Sequence, residues 1–293
     1  MLGAIAGDTI GSVYEFHNTR DYNFPMLGKE TNYTDDSVMS IAVAKWLIED
    51  KEHSLQGLED IMLDFGKNER CPMGGYGGGF RMWLFRPALL QKYDGRYGEM
   101  LYESTTGRSP YCSWGNGSAM RASACGWFFE TLEETEKVAG ISAVITHNHP
   151  EGIKGAQATA AAIWMARNGN SKSEIKEYIS TKYGYDLDMT YEFLNKNYGW
   201  DSSCQGTVPQ AIVAFLESTD FEDAMRKAVS MGGDSDTLAC ITGGIAEAFY
   251  GGIPENIKTE VWAKLPESFQ NIIRTVAEKT SYGKVFSEPY KGK

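Results

Sequence analysis

Residues 237–250 read Thr-Leu-Ala-Cys-Ile-Thr-Gly-Gly-Ile-Ala-Glu-Ala-Phe-Tyr. Leu238, Ile241, Ile245, Ala248 and Phe249 recur at three- and four-residue steps, which lays an apolar stripe along one face of an α-helix. The helical period returns over 2–14, 37–49, 55–66, 119–130, 134–146, 153–167, 172–183, 208–216, 221–231, 256–263 and 267–279. No stretch alternates apolar and polar residues for long with β-branched side chains, which argues against a sheet. Gly, Pro and Asn mark breaks at 73–79, 111–117, 148–152, 168–170 and 201–206. None is long, repetitive or charged enough to be a domain linker, and no solenoid period is present. The expected fold class is all-α: a compact orthogonal multi-helix bundle forming a single domain over residues 1–293. Small residues crowd two of the helices, with Gly3, Gly7 and Gly11 four apart and Ala156, Ala158, Ala160, Ala161 and Ala162 in another. Small side chains let helix axes approach closely, so both stretches are read as tight core packing.

The composition narrows the function classes. The chain holds 28 basic and 39 acidic residues in 293, a formal charge of −11. Such an excess of acid disfavours general nucleic-acid binding, which depends on Lys and Arg neutralising phosphates. It also disfavours docking on an anionic membrane surface. No apolar run approaches the roughly 20 residues that span a bilayer. The N-terminal residues 1–10 carry no basic residue and include Asp8, unlike a secretory signal. Cys71, Cys112, Cys125, Cys204 and Cys240 form an odd, widely spaced set without C-x-x-C. That pattern suits reduced thiols and argues against a Cys-ligated zinc site. A cytoplasmic protein acting as a monomer is expected.

Two acidic helix starts exceed this background. Thr34-Asp35-Asp36 precedes the helix at 37–49, and Asp234-Ser235-Asp236-Thr237 precedes the stretch quoted above. Asp and Thr cap helices by accepting free amide protons of the first turn. One carboxylate is enough for that, and adjacent carboxylates repel. Together the clusters supply four carboxylates and two hydroxyls, an all-oxygen set suited to Mg2+, Mn2+ or Ca2+ rather than Zn2+. Four carboxylates offset two divalent ions, so a binuclear site follows if the fold joins the clusters.

Other candidates are weaker singly. Asp8 and Glu15 stand seven apart, about two helical turns, and would share one face of a helix. Gly115, Asn116, Gly117 and Ser118 form a glycine-rich turn into a helix, where backbone amides favour anions. Arg121 suits a site carboxylate, a phosphate or a structural ion pair. His147 reads as a locally bonded helix-end residue. His149, held extended before Pro150, can reach a phosphate or sugar.

With these residues together, the chain resembles the ADP-ribosylglycohydrolase family over nearly its whole length. The likeness is carried by Gly3 to Asp8, Tyr33 to Ser37, Gly115 to Arg121, His147 to Pro150, Gly232 to Thr237 and Tyr250 to Pro254. It implies an all-α fold of the ADP-ribosylglycohydrolase type and two divalent cations, Mg2+ or Mn2+. The ions would be held by Thr34, Asp35, Asp36, Asp234, Asp236 and Thr237 and would grip the ribose hydroxyls. Gly115, Asn116, Gly117, Ser118 and His149 would line the diphosphate-ribose path, with Glu15 near the ribose. Tyr76, Tyr111, Trp114 and Trp200 are the candidates for stacking the adenine. The implied activity is hydrolysis at the anomeric carbon of ADP-ribose on a modified protein or other acceptor, most readily ADP-ribosyl-arginine. Asp35 or Asp36 would act on the attacking water, with Glu15 as second choice. Some relatives draw a further carboxylate from the loop after the Thr-Asp-Asp helix. Here residues 72–79 supply none, and their glycines suggest a lid or a backbone contact to the ribose.

Overall fold

A computed structural model describes residues 1–89, 104–290 and 292. It is all-α, as expected; among the described residues the only β feature is one isolated bridge between Gly115 and Ser203. The helices run α1 (Leu2–Gly11), α2 (Asp35–Glu49), α3 (Leu55–Asn68), α4 (Gly78–Phe85), α5 (Gly117–Met120), α6 (Cys125–Phe128), α7 (Leu132–Val144) and α8 (Pro150–Arg167). They continue with α9 (Lys172–Tyr183), α10 (Tyr191–Asn197), α11 (Cys204–Leu216), α12 (Phe221–Ser230), α13 (Ser235–Tyr250), α14 (Glu255–Lys264), α15 (Glu267–Lys279) and α16 (Tyr282–Ser287). None is long and apolar enough to cross a membrane.

The stretch at 237–250 lies in α13, the centre of the molecule, packed by α1, α8, α11 and α12. Its periodicity identifies the helix but understates its burial, because every residue of α13 except Phe249 is buried. A helix enclosed on all sides needs no polar face. Helix α1 is buried along its whole length. Its glycines form the seam against α13: a Cβ at Gly7 would meet Ala239 O at 1.9 Å, and one at Gly11 would meet Asp236 Cα at 2.5 Å. We expect Gly7→Ala to cost about 1–3 kcal/mol or more, since an added methyl in a full core forces the backbones apart. Gly28→Ala, where a Cβ meets nothing within 4 Å, should change stability by no more than about 0.5 kcal/mol. Urea melts of the two variants compare these costs directly.

Several boundaries differ from expectation. The helix expected over 2–14 ends at Gly11, so Glu15 lies beyond it and does not continue the face of Asp8. The stretch 119–130 forms two single-turn helices, α5 and α6, rather than one. Helices α4, α10 and α16 were not expected; α4 begins in glycines that read as a break. Helix α8 starts at Pro150 with His149 as its N-cap, the position where proline's fixed φ and missing N–H cost nothing.

Candidate active site

The two acidic helix starts converge. Helix α2 is capped by Thr34, whose hydroxyl accepts from Asp36 N at 3.2 Å. Asp8, carried on α1, completes the cap. Its carboxylate accepts from Thr34 N at 3.0 Å, Thr34 Oγ1 at 2.7 Å, Ser37 N at 3.0 Å and the Ser37 hydroxyl. Asp35 and Asp36 are therefore left without a capping task. Asp36 Oδ2 instead accepts from Thr237 Oγ1 at 3.3 Å, which ties the start of α2 to that of α13. Asp36 Oδ1 is buried with no hydrogen-bond partner.

At the other start, Asp234 stands at the N-cap position of α13 but makes no capping hydrogen bond. Its Oδ2 accepts from Asn116 Nδ2 at 2.7 Å, which brings the Gly-Asn-Gly turn to the acids. Gly232 and Gly233 approach Asp234 with φ of +68° and +74°, a left-handed backbone that L side chains resist. Asn18 holds Gly233 through both its N–H and its C=O, at 2.8 and 2.9 Å. Arg20 donates to the carbonyls of Met231, Tyr198 and Asn195. Neither Asn18 nor Arg20 carries a local sequence signal, because their partners lie some 200 positions away.

Glu15, Asp234 and Asp236 bring carboxylate oxygens within 4.8 Å of one another. None of the ion pairs among the described residues involves Asp8, Glu15, Asp35, Asp36, Asp234 or Asp236. The acids respond by holding protons. Burial first, then neighbouring carboxylates, pushes Glu15 up to about 8 and Asp35 up to about 7. The same causes carry Asp36 and Asp236 well above the carboxylate range. Burial lifts Asp8 less, to about 6, because four hydrogen bonds favour its charged form.

A cavity of about 410 Å³ opens over this cluster. Glu15, Asp35, Asp36, Asp234, Asp236 and Thr237 line one part of it, and Gly115, Asn116, Gly117 and His147 another. Gly75, Gly77, Gly78 and Gly79 border it too, and a Cβ at neighbouring Gly74 would meet Thr34 Cβ at 3.1 Å. Thr34 lies just behind the lining, bonded to Asp8 and Asp36. Ser118 and His149 do not line the cavity. Ser118 is buried and donates to Gly152 O at 2.7 Å, and His149 Nδ1 caps α8 by accepting from Glu151 N at 3.1 Å. Arg121 makes no ion pair to a site acid. It is buried and donates to Ser142 O at 2.7 Å and Thr146 Oγ1 at 2.9 Å.

Of the four aromatic candidates, Tyr111 and Trp200 line the cavity. Tyr76 packs edge-on against Phe80, and Trp114 stands edge-on to His149. Phe16, absent from the sequence reading, stacks on Trp200 with ring centroids 5.5 Å apart and planes at 20°. The pair is 72% and 52% exposed beside Glu15, where a core role would have hidden it. That exposure is the only signal for Phe16, and it is tertiary.

Comparison with known proteins agrees with this architecture. The family model described as ADP-ribosylglycohydrolase matches residues 1–285. ADP-ribosylhydrolase ARH3 of Homo sapiens is 26% identical over 312 residues, covering 86% of this chain and 84% of that protein. An uncharacterized protein of Archaeoglobus fulgidus is 32% identical over 154 residues, covering 47% of this chain and 50% of that protein. A solved structure titled ADP-ribosylglycohydrolase-related protein complex superposes with a TM-score of 0.70 at 20% identity, covering 95% of each chain. That likeness extends the shared fold to the whole bundle.

Proposed function

The chain belongs to the ADP-ribosylglycohydrolase family of enzymes, and on that premise we propose that it releases ADP-ribose from ADP-ribosyl-arginine with two divalent cations, Mg2+ or Mn2+. One observation carries the reading: acids from helix starts some 200 positions apart face one cavity beside a Gly-Asn-Gly turn. The run of the family model over residues 1–285 supports reading residues 1–293 as a single domain.

The residues fit a hard cation. Their donors are all oxygen, Asp36 Oδ1 is buried and unpartnered, and no Lys or Arg among the described residues pairs with the acids. Thr34, Asp35, Asp36, Asp234, Asp236 and Thr237 would hold the ions. Bound there, divalent ions supply Lewis-acid polarisation and a grip on sugar hydroxyls. The chain's own groups do the rest. Asp35 and Glu15 are both partly exposed to the cavity and both titrate close to neutrality, so each can move a proton to or from a reacting oxygen. Asp35 is the first choice to deprotonate the attacking water. The 115–117 turn presents backbone and an Asn side chain to the ligand. Phe16 and Trp200 offer a flat aromatic face beside an acid, which complements a planar cationic guanidinium leaving group.

The test is a panel of ADP-ribosyl-arginine, ADP-ribosyl-serine, O-acetyl-ADP-ribose and an ADP-ribosylated nucleobase, each with Mg2+ or Mn2+. Release should be fastest from ADP-ribosyl-arginine. Faster release from another member would overturn the acceptor but keep the hydrolase. Calorimetric binding of ADP-ribose with no turnover on any member would leave only a binding protein.

A further inference from the structure

Arg121 and Thr146 form a chain that ends on a cavity residue. Arg121 is buried and its guanidinium can only donate; one nitrogen donates to Thr146 Oγ1 at 2.9 Å. Thr146 Oγ1 then lies 2.7 Å from His147 Nδ1. Thr146 is fully buried, and its hydroxyl proton has no other acceptor among the described residues. Were Nδ1 protonated, the hydroxyl would receive two donors and its own proton would be stranded in the core. The hydroxyl must therefore donate to Nδ1, which leaves the ring proton on Nε2. That edge of the ring faces the turn: a Cβ at Gly117 would lie 3.2 Å from His147 Nε2, and one at Gly115 3.6 Å.

We infer that Arg121 and Thr146 are positioning residues that lock His147 as the neutral Nε2–H tautomer, giving the cavity a fixed hydrogen-bond donor beside residues 115–117. Its partner is an oxygen of the phosphate-sugar ligand, a step that rests on the ADP-ribose reading above. Imidazolium is disfavoured as well, because burial and then the Arg121 charge push His147 well below its ordinary value. The donor is thus constant across the working pH range, which an exposed histidine could not provide. Arg121 has a second task that explains its burial: it satisfies the Ser142 carbonyl near the end of α7.

Nitrogen-15 NMR of the ligand-free protein reads the tautomer directly. Wild-type His147 should show protonated Nε2 and bare Nδ1 from about pH 6 to pH 8, and calorimetry gives the ADP-ribose affinity of each variant. In Thr146→Val the ring should redistribute toward Nδ1–H and ADP-ribose affinity should fall on the order of tenfold. Thr146→Ser, which keeps the hydroxyl, should retain the wild-type tautomer and bind within about threefold. Protonated Nδ1 in the wild-type protein overturns the inference, and that reading needs no variant to fold. Unchanged ADP-ribose affinity in Thr146→Val after the tautomer has shifted overturns the ligand contact. Because the tautomer is read without ligand, failure of the wild-type protein to bind ADP-ribose counts against the functional reading alone.

Discussion

Asp36→Asn should reduce ADP-ribose release by roughly 10³-fold or more while making the metal-free protein harder to unfold at pH 8. Both effects come from one burial. Asp36 is 2% exposed, Oδ1 has no partner, and Oδ2 receives only long contacts of 3.3 and 3.4 Å from Thr237 and Thr34. A carboxylate so placed destabilises the fold unless a cation accompanies it. The amide keeps the shape and drops the charge. It also leaves the helix cap intact, because Thr34 and Asp8 supply it. Turnover within tenfold of wild type would exclude Asp36 from the machinery. Loss of turnover together with loss of stability would make Asp36 a structural residue instead. Only the opposed pair of effects identifies a group kept for its charge at the expense of the fold.

Removing divalent ions should leave a protein whose stability falls as pH rises, and that binds ADP-ribose roughly 5–150-fold more weakly. The direction follows from the raised carboxyls. Glu15 titrates at about 8 and Asp35 at about 7 in the folded chain, against 4.5 and 3.8 when unperturbed. A group whose folded value is raised binds its proton more tightly in the folded state. Its contribution is complete below about pH 4 and is lost as pH climbs through about 7 to 8. Melting temperature in chelator should therefore decline from pH 5 to pH 8. Saturating Mg2+ or Mn2+ should reverse the decline, adding about 2.7 kcal/mol at a hundredfold excess over Kd, or roughly 5–10 °C. The affinity change has the same origin, since ADP-ribose is an anion and the bare cluster repels it. A melting temperature that rises with pH in chelator, or equal ADP-ribose affinity with and without it, would refute the two-ion account.

The legible parts of this molecule were local. Helical period exposed most of the bundle, and doubled acids at Asp35–Asp36 and Asp234–Asp236 stood out against ordinary capping. The structure bears on that contrast: Thr34 and Asp8 cap α2, and Asp234 caps nothing. The single-turn break between α5 and α6 and the start of α4 in glycines were not legible, because weak local propensity yields to packing there. The two histidines also exchanged places. His147 borders the cavity, whereas His149 turns its Nδ1 to the first turn of α8. Neighbouring residues two apart differ in outlook by the exact position of a helix start, which sequence patterns locate only to within a few residues.

What the chain determined by itself was the stock of parts: helices, small-residue seams and an excess of acid concentrated at helix starts. These follow from interactions within a few residues, where spacing and side-chain chemistry suffice. The tertiary structure alone decided which acids meet. Glycines of α1 let it lie against α13, so Asp8 reaches the start of α2 while Asp236 stands at the seam's other side. The same packing left Phe16 and Trp200 exposed at the rim and put Thr146 between Arg121 and His147. Each of these joins residues distant in sequence, and their pairing depends on how closely whole helices can approach.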